Sequence, residues 1–154
     1  MKKVVLILCG PPGSGKTTFI KRFPDKRFFT ILSRDEIREK MFGKEYKQNS
    51  NDEKKVTKCW DHLLGASIHL KHNIIIDKTN VDAAHLDGYV KQFPEADFIL
   101  KIIFFNTPLW LCRVREVKRR ILTGRHVPHG IIKDMKKRFD KINQRNYDKY
   151  FFYK

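Results

Sequence analysis

The sequence predicts an α/β fold, with a parallel sheet of about four or five strands and helices on both of its faces. Short apolar runs alternate with amphipathic segments along the chain, which is the pattern of repeated strand–helix–strand units. The first run is apolar throughout, as expected of a strand buried on both faces, and a glycine-rich loop follows it directly. A length of 154 residues corresponds to one domain, so we expect residues 1–154 to form a single unit.

Four strands are predicted from short apolar runs that end at polar or turn-forming residues. They are Lys3–Cys9, Phe28–Leu32, Asn73–Asp77 and Phe98–Phe105. Between and after them, segments with apolar residues at helical spacing predict helices, the first from about Gly15 to Phe23.

Two further helix starts are predicted from capping boxes, in which a Ser caps the helix and a Glu three residues later reaches back. Ser33 and Glu36 have this spacing and predict a helix that runs to about Phe42. Ser50 and Glu53 have it too, and they open a helix with an apolar stripe.

In the last third of the chain, Thr107 is the expected N-cap of a helix that begins at Pro108. An apolar stripe on this helix is predicted to face the core; its members are Trp110, Val114, Val117 and Ile121. Residues 43–51 are polar and predict a loop, whereas the aromatic and basic tail 146–154 supports no assignment.

The chain is strongly basic, which limits the class of partner. Lysine and arginine number 33 against 17 aspartate and glutamate residues, a formal net charge of +16. Residues 101–154 alone hold 15 basic and 4 acidic residues. This excess indicates a polyanionic partner or an anionic substrate, although a basic segment can also be a solvated helix surface.

The cysteine content indicates a reducing, cytoplasmic setting. Cys9, Cys59 and Cys112 are odd in number and far apart, which excludes a disulfide framework and a paired-cysteine metal site. The six histidines follow no metal-ligand spacing. No apolar run approaches the roughly 18 residues of a membrane span, so we expect no membrane partner.

Residues 10–17 read GPPGSGKT and match the phosphate-binding pattern GxxxxGK[ST]. The glycines let the backbone amides turn toward phosphate oxygens, Lys16 reaches the β- and γ-phosphates, and the Thr17 hydroxyl is the expected Mg²⁺ ligand. The predicted phosphate-binding residues are Gly13, Ser14, Gly15, Lys16, Thr17 and Thr18. The alternative is a chance turn, but the motif also lies between a buried strand and a helix, where it must.

Two acidic positions follow strand ends, where ligands bind in such sheets. Asp77 can hold Mg²⁺ through water, or it can simply cap a turn. Asp35 and Arg38 share one helix face, which suggests a general base and an anion clamp. From spacing alone these two residues are equally consistent with ordinary helix composition, since acidic residues favour the first turn.

Five arginines lie between residues 113 and 125, and Arg115 and Arg119 share one helix face. Such a segment can close over transferring phosphates and stabilise their charge. Gly124 and Pro128 supply a possible hinge, while the alternative is a solvated basic face.

Together, GPPGSGKT, the segment Ser33–Arg38, the run IIIDKTN and the Arg-rich segment ending at Val127-Pro128 resemble the 5′-polynucleotide kinases, within the P-loop kinase superfamily. The resemblance extends from Met1 to about Ile142 and implies a P-loop kinase fold with an Arg-rich lid at about residues 113–128. It implies ATP as the phosphate donor and Mg²⁺ as the cofactor.

The resemblance also implies residue roles. Asp35 would take the proton from a nucleic acid 5′-hydroxyl, and Arg38 would contact the phosphate on the 3′ side of the terminal nucleotide. The ATP phosphates would contact Lys16, Arg115 and Arg119. The lid is longer here than in the bacteriophage enzyme of that family, which leaves open whether Arg119 or Arg120 is the lid residue. The DxDGT-like motif of bifunctional relatives is absent from the sequence, so we expect no phosphatase domain.

The function expected on this basis is transfer of the ATP γ-phosphate to the 5′-hydroxyl of DNA or RNA, as in nucleic-acid end repair. Two alternatives remain open at this point. One is a small-molecule kinase for a nucleoside or related metabolite, and the other is a non-catalytic, ATP-switched nucleic-acid-binding module. Asp35 argues against the last, because a switch needs no base for a substrate.

Overall fold

A computed structural model of the chain describes residues 1–43 and 49–150. The strands are β1 (Lys3–Cys9), β2 (Phe29–Ser33), β3 (Asn73–Asp77) and β4 (Phe98–Phe104). The helices are α1 (Lys16–Arg22), α2 (Arg34–Phe42), α3 (Ser50–His69), α4 (Ala83–Gln92), α5 (Leu109–Thr123) and α6 (His129–Asp140). Short 3₁₀ turns cover Lys26–Phe28 and Gln144–Tyr150.

The four strands form one parallel sheet in the order β2-β3-β1-β4. All carboxyl ends therefore lie at the same edge. In the register of the sheet, Asp77 is paired with Leu8 on one side and with Ser33 on the other. This confirms the predicted α/β fold, with a sheet of four strands.

Both faces of the sheet are covered, because alternate residues of β1 enter two different apolar clusters. Val5 and Ile7 join the larger cluster, which includes residues of α3, α4 and the C-terminal segment. Leu6 and Leu8 join a smaller cluster with Ile20 of α1. Each of these four β1 residues is fully buried, which accounts for the unbroken apolar run in the sequence.

The C-terminal tail packs against the larger cluster through aromatic residues. Tyr147 and Tyr150 are buried, and the Tyr147 hydroxyl donates to Asp87 Oδ1 at 2.7 Å. The tail therefore contributes to the core, a role that the sequence did not indicate. Of the unassigned tail, residues 151–154 lie outside the described residues, as do residues 44–48 of the predicted loop.

The predicted core stripe of α5 is wrong. Trp110 is 65% exposed, and Val114 and Ile121 are exposed as well. The helix directs its opposite side, with Cys112 and Glu116, inward. Helical spacing identified an apolar face correctly, but it could not show that this face is uncovered in the described part of the chain.

The predicted cap at α3 is also corrected. Asn49 is the N-cap, and its side-chain oxygen accepts from the Asp52 backbone N–H at 2.9 Å. Ser50 is the first residue of the helix, and the Glu53 side chain bonds to arginines of α2. At α5, Pro108 occupies the N-cap position and Thr107 donates its hydroxyl to the Ser14 carbonyl at 2.8 Å.

At α2, Ser33 does occupy the N-cap position, but within the described residues its side chain forms no capping hydrogen bond. The Ser33 hydroxyl instead interacts with Asp77, its neighbour in the sheet. Ser33 thus fits the capping-box pattern, but its hydroxyl contacts a carboxylate at the carboxyl edge of the sheet instead of capping α2.

Among residues 1–43 and 49–150, none of the helices has the length and apolar character that crossing a membrane requires.

The ion pair between Asp82 and Arg138 predicts acid sensitivity. Arg138 Nε of α6 donates to Asp82 Oδ1 at 2.8 Å, which holds the pKa of Asp82 below its ordinary value. A lowered carboxyl pKa contributes stability above the unfolded-state pKa of about 3.9, and that stability is lost as the pH falls through the folded-state value. Asp82→Asn should therefore be less stable than the wild type near pH 7, with the difference shrinking below about pH 4.

Denaturant unfolding at several pH values measures this difference. Asp134→Asn is the matched control, because Asp134 is exposed and its ion pair with Arg138 is longer, at 3.7 Å. A gap for Asp82→Asn that stays constant down to about pH 3 would contradict the assignment.

Candidate active site

The glycine-rich loop connects β1 to α1 with two residues in the left-handed region. Gly13 has φ 75° and Gly15 has φ 107°, conformations that L side chains rarely adopt. A Cβ atom on Gly13 would also lie 2.5 Å from the Cys112 carbonyl oxygen of α5. Glycine at position 13 is therefore required both by conformation and by the close approach of α5.

Lys16 turns back into the loop that precedes it. Its Nζ donates to the Gly10 carbonyl at 2.7 Å, the Pro11 carbonyl at 2.9 Å and the Ser14 hydroxyl at 3.4 Å. The residue is only 9% exposed, and burial lowers the pKa of its ammonium group, against the opposing charge of Asp77. The loop thus holds a poorly hydrated cation at the carboxyl edge of the sheet.

Asp77 ends β3 beside this cation. Burial raises the pKa of Asp77 above its ordinary value, and the charge of Lys16 acts in the opposite direction. Thr17 and Thr18 are exposed in the first turn of α1. In the described part of the chain no group of three or more His, Cys, Asp or Glu residues could hold a metal ion by itself.

The predicted pair on α2 is brought together. Arg38 Nη1 donates to Asp35 Oδ1 at 2.7 Å. The Asp35 side chain is 60% exposed, whereas the Arg38 side chain is largely buried. A carboxylate open to solvent therefore stands beside a guanidinium held by the protein.

Glu53 of α3 is the acidic residue that holds the α2 arginines, and sequence reasoning assigned it only to a cap. Its carboxylate accepts from Arg38 Nε at 2.7 Å, from Arg38 Nη2 at 3.0 Å and from Arg34 Nη2 at 3.1 Å. These bonds, chiefly those from Arg38, hold the pKa of Glu53 below its ordinary value. They raise the pKa of Arg38 correspondingly.

The two predicted α5 arginines reach different parts of the site. Arg115 Nη1 donates to the Gly13 carbonyl at 3.1 Å. Arg119 Nη2 lies 3.9 Å from Asp35 Oδ2, while its Nη1 donates to Glu116 Oε1 at 3.3 Å. Between Arg119 and Arg120, the distance to Asp35 singles out Arg119 as the residue facing α2.

Sequence reasoning also missed a contact between the loop after α5 and α2. Arg125 Nη2 donates to Glu39 Oε2 at 2.7 Å. Nothing in the spacing of these residues, 86 positions apart, could have indicated it. Glu116, which is buried beside Arg119, was missed for the same reason that its helix face was assigned incorrectly.

The site therefore combines an anion-binding loop with an exposed carboxylate at one edge of the sheet. The buried ammonium of Lys16 and the partly buried guanidinium of Arg38 can neutralise phosphate charge, and the carboxylate of Asp35 can accept a proton. This is a set of groups suited to phosphoryl transfer between two bound substrates.

The contact between Gly13 and α5 predicts a position-specific effect of alanine. Gly13→Ala should lower ATP affinity by at least about tenfold, since the loop and the first turn of α5 must separate to admit a Cβ. Gly43→Ala is the matched control: its φ of 85° is equally unfavourable for alanine, yet apart from its chain neighbours no described atom lies within 4 Å of the added carbon. Calorimetric ATP binding and thermal midpoints distinguish the two variants, and equal ATP affinities would contradict the packing argument.

Comparisons with known proteins agree with the geometry. A family model described as an AAA domain matches residues 5–142. A chain of the Pnkp1/Rnl/Hen1 RNA repair complex is 26% identical with a TM-score of 0.81, over 97% of this chain and 47% of that one. A second structure of the Pnkp1/Rnl/Hen1 complex matches at 28% identity and a TM-score of 0.60, over 72% of this chain and 38% of that one. This chain thus spans less than half the length of these two relatives.

Two more distant structures share the fold. A gluconokinase from Sinorhizobium meliloti 1021 is 13% identical with a TM-score of 0.56, over 97% of this chain and 80% of that one. A deoxyadenosine kinase from M. mycoides with bound dATP is 19% identical with a TM-score of 0.54, over 96% and 88%. A search of curated proteins gave no significant match.

The predicted P-loop kinase fold and the resemblance to the polynucleotide kinase group are both confirmed by these likenesses. Because the family model covers most of its length, the chain belongs to the AAA-domain family, and its fold is that of the P-loop kinases.

Proposed function

We propose that the chain is an ATP-dependent polynucleotide 5′-hydroxyl kinase that acts on the ends of DNA or RNA. The observation that carries the proposal is the Asp35–Arg38 pair, with its 2.7 Å hydrogen bond, at the same sheet edge as the buried ammonium of Lys16. A base for a hydroxyl and a clamp for a phosphate on one helix face suit an acceptor that carries both groups.

On the donor side, the loop from Gly13 to Thr18 binds the ATP phosphates. Lys16 exchanges its carbonyl partners for phosphate oxygens, and Arg115 does the same with the Gly13 carbonyl. Thr17 and Asp77 would hold Mg²⁺, Asp77 through water, and the ion supplies charge neutralisation at the β- and γ-phosphates. The partly buried position of Asp77 fits this role, because burial raises the pKa of its carboxyl group and a cation at the site would stabilise the ionised form.

On the acceptor side, Asp35 receives the proton of the 5′-hydroxyl as the hydroxyl oxygen attacks the γ-phosphorus. The new bond joins that oxygen to the γ-phosphorus, the bond to the bridging oxygen breaks, and ADP leaves. Arg119, 3.9 Å from Asp35, neutralises charge on the phosphoryl group in transit. We assign the lid to residues 113–128, with the Arg125–Glu39 pair joining its end to α2.

Nucleic acid is favoured over a small metabolite by charge and by likeness. The net charge of +16 suits a polyanion. Two relatives above 25% identity come from Pnkp1/Rnl/Hen1 complexes, one of them described as an RNA repair complex, which supports end repair as the setting. Cys9 and Cys112 are buried free thiols, consistent with the reducing cytoplasm as the proposed location.

The deciding experiment is transfer of labelled phosphate from [γ-³²P]ATP to a 5′-hydroxyl oligonucleotide. The same oligonucleotide with a 5′-phosphate is the control, and deoxyadenosine and gluconate are the competing acceptors. Label on the oligonucleotide alone supports the proposal. Label on deoxyadenosine or gluconate in preference to the oligonucleotide would establish a small-molecule kinase instead.

Asp35→Asn tests the role of the base. It should lower kcat by about 10²- to 10⁴-fold, because proton transfer is lost, while the Kd for ATP stays close to that of the wild type. Glu36→Gln is the matched control, being the next residue on the same exposed turn and paired only loosely with Lys40 at 4.0 Å. Collapse of ATP binding in Asp35→Asn would make Asp35 a nucleotide or metal ligand, contrary to the proposal.

A further inference from the structure

The carboxylate of Glu53 joins two arginines of α2 from the neighbouring helix. It accepts two hydrogen bonds from Arg38, through Nε and Nη2, and one from Arg34. The side chains of Arg34 and Arg38 are 16% and 18% exposed, and that of Glu53 is 27% exposed. Two guanidinium groups one helical turn apart repel each other, so a shared carboxylate is what lets both remain partly buried.

The pairing with Glu53 fixes both the position and the plane of the Arg38 guanidinium group. Two parallel N–H···O bonds, at 2.7 and 3.0 Å, hold the guanidinium side-on and prevent its rotation. The bond from Nη1 to Asp35 Oδ1 is the third. A guanidinium carries five N–H donors. Three donors of Arg38 bond to Glu53 and Asp35 in the described part of the chain, and two donors remain.

We propose that Glu53 is a positioning residue that presents Arg38 to the phosphate on the 3′ side of the terminal nucleoside. Glu53 thereby makes the enzyme selective for acceptors that carry that phosphate. The inference rests on the proposed function, since it concerns the acceptor half of the same site.

The role differs from simple bracing of α2 against α3. Arg34 already links the two helices, because its Nη2 donates to Thr57 Oγ1 at 3.0 Å as well as to Glu53. Thr57 is therefore a matched control on the same helix: Thr57→Val removes a bond to Arg34 and leaves both bonds to Arg38. A bracing role predicts similar effects at positions 53 and 57, and a positioning role predicts an effect at 53 alone.

The test compares thymidine 3′-phosphate with thymidine as acceptors, since they differ only in the phosphate that Arg38 is proposed to bind. Glu53→Gln should raise KM for thymidine 3′-phosphate by about tenfold, with kcat near that of the wild type, and should leave kcat/KM for thymidine unchanged. Thr57→Val should match the wild type on both acceptors. In an Arg38→Ala background, Glu53→Gln should cause no further loss.

Glu53→Asp keeps the charge but shortens the side chain. It should raise KM for thymidine 3′-phosphate by less than Glu53→Gln does, and should likewise leave thymidine unaffected. It also decides the matter if Glu53→Gln fails to fold. Equal losses on the two acceptors, or additive losses with Arg38→Ala, would overturn the inference in favour of a structural role. Wild-type protein that phosphorylates neither thymidine 3′-phosphate nor a 5′-hydroxyl oligonucleotide would overturn the proposed function itself, whereas active wild type with an unaffected Glu53→Gln would overturn the inference alone.

Discussion

A buried ammonium is the constraint on which this edge of the sheet depends. Lys16 can lose its hydration only because the Gly10 and Pro11 carbonyls replace water. Those carbonyls point inward only if the loop passes through the left-handed region at Gly13, and α5 then packs against the bare backbone there. The contact with α5 in turn brings Arg115 to the loop. One poorly hydrated cation thus ties together the loop and the first half of α5.

A series of ion pairs links the two halves of the site. Glu53 of α3 pairs with Arg38, Arg38 with Asp35, and Asp35 faces Arg119 of α5. These groups neutralise one another, and in the proposed function Lys16 and Arg115 exchange backbone carbonyls for substrate phosphates, whereas Glu53 keeps its bonds to Arg38. Such exchange avoids exposing unpaired charge in a partly buried site, where an uncompensated ion is most costly.

The sequence predicted those features that depend on neighbouring residues. The loop, the fully buried β1 and the pairing of Asp35 with Arg38 all follow from local spacing, and the structure has the strands close to their predicted positions. Features that join distant segments were missed. Glu53 lies 15 residues from Arg38 and fitted a capping box equally well. Trp110 has core periodicity, but periodicity does not tell whether another element covers that face.

The excess positive charge does not reside at the centre of the site. There Arg38, Arg34 and Arg125 each contact a carboxylate, so the local field is close to balanced. Most of the formal charge of +16 must lie on the surrounding surface, including the last third of the chain. In the proposed function, long-range attraction and short-range recognition are thereby separated: the surface would raise the local concentration of a polyanion, while fixed pairs at the sheet edge would discriminate by the geometry of individual phosphates. An acceptor without phosphates would gain from neither, so charge distribution and site geometry both support the substrate class that we propose.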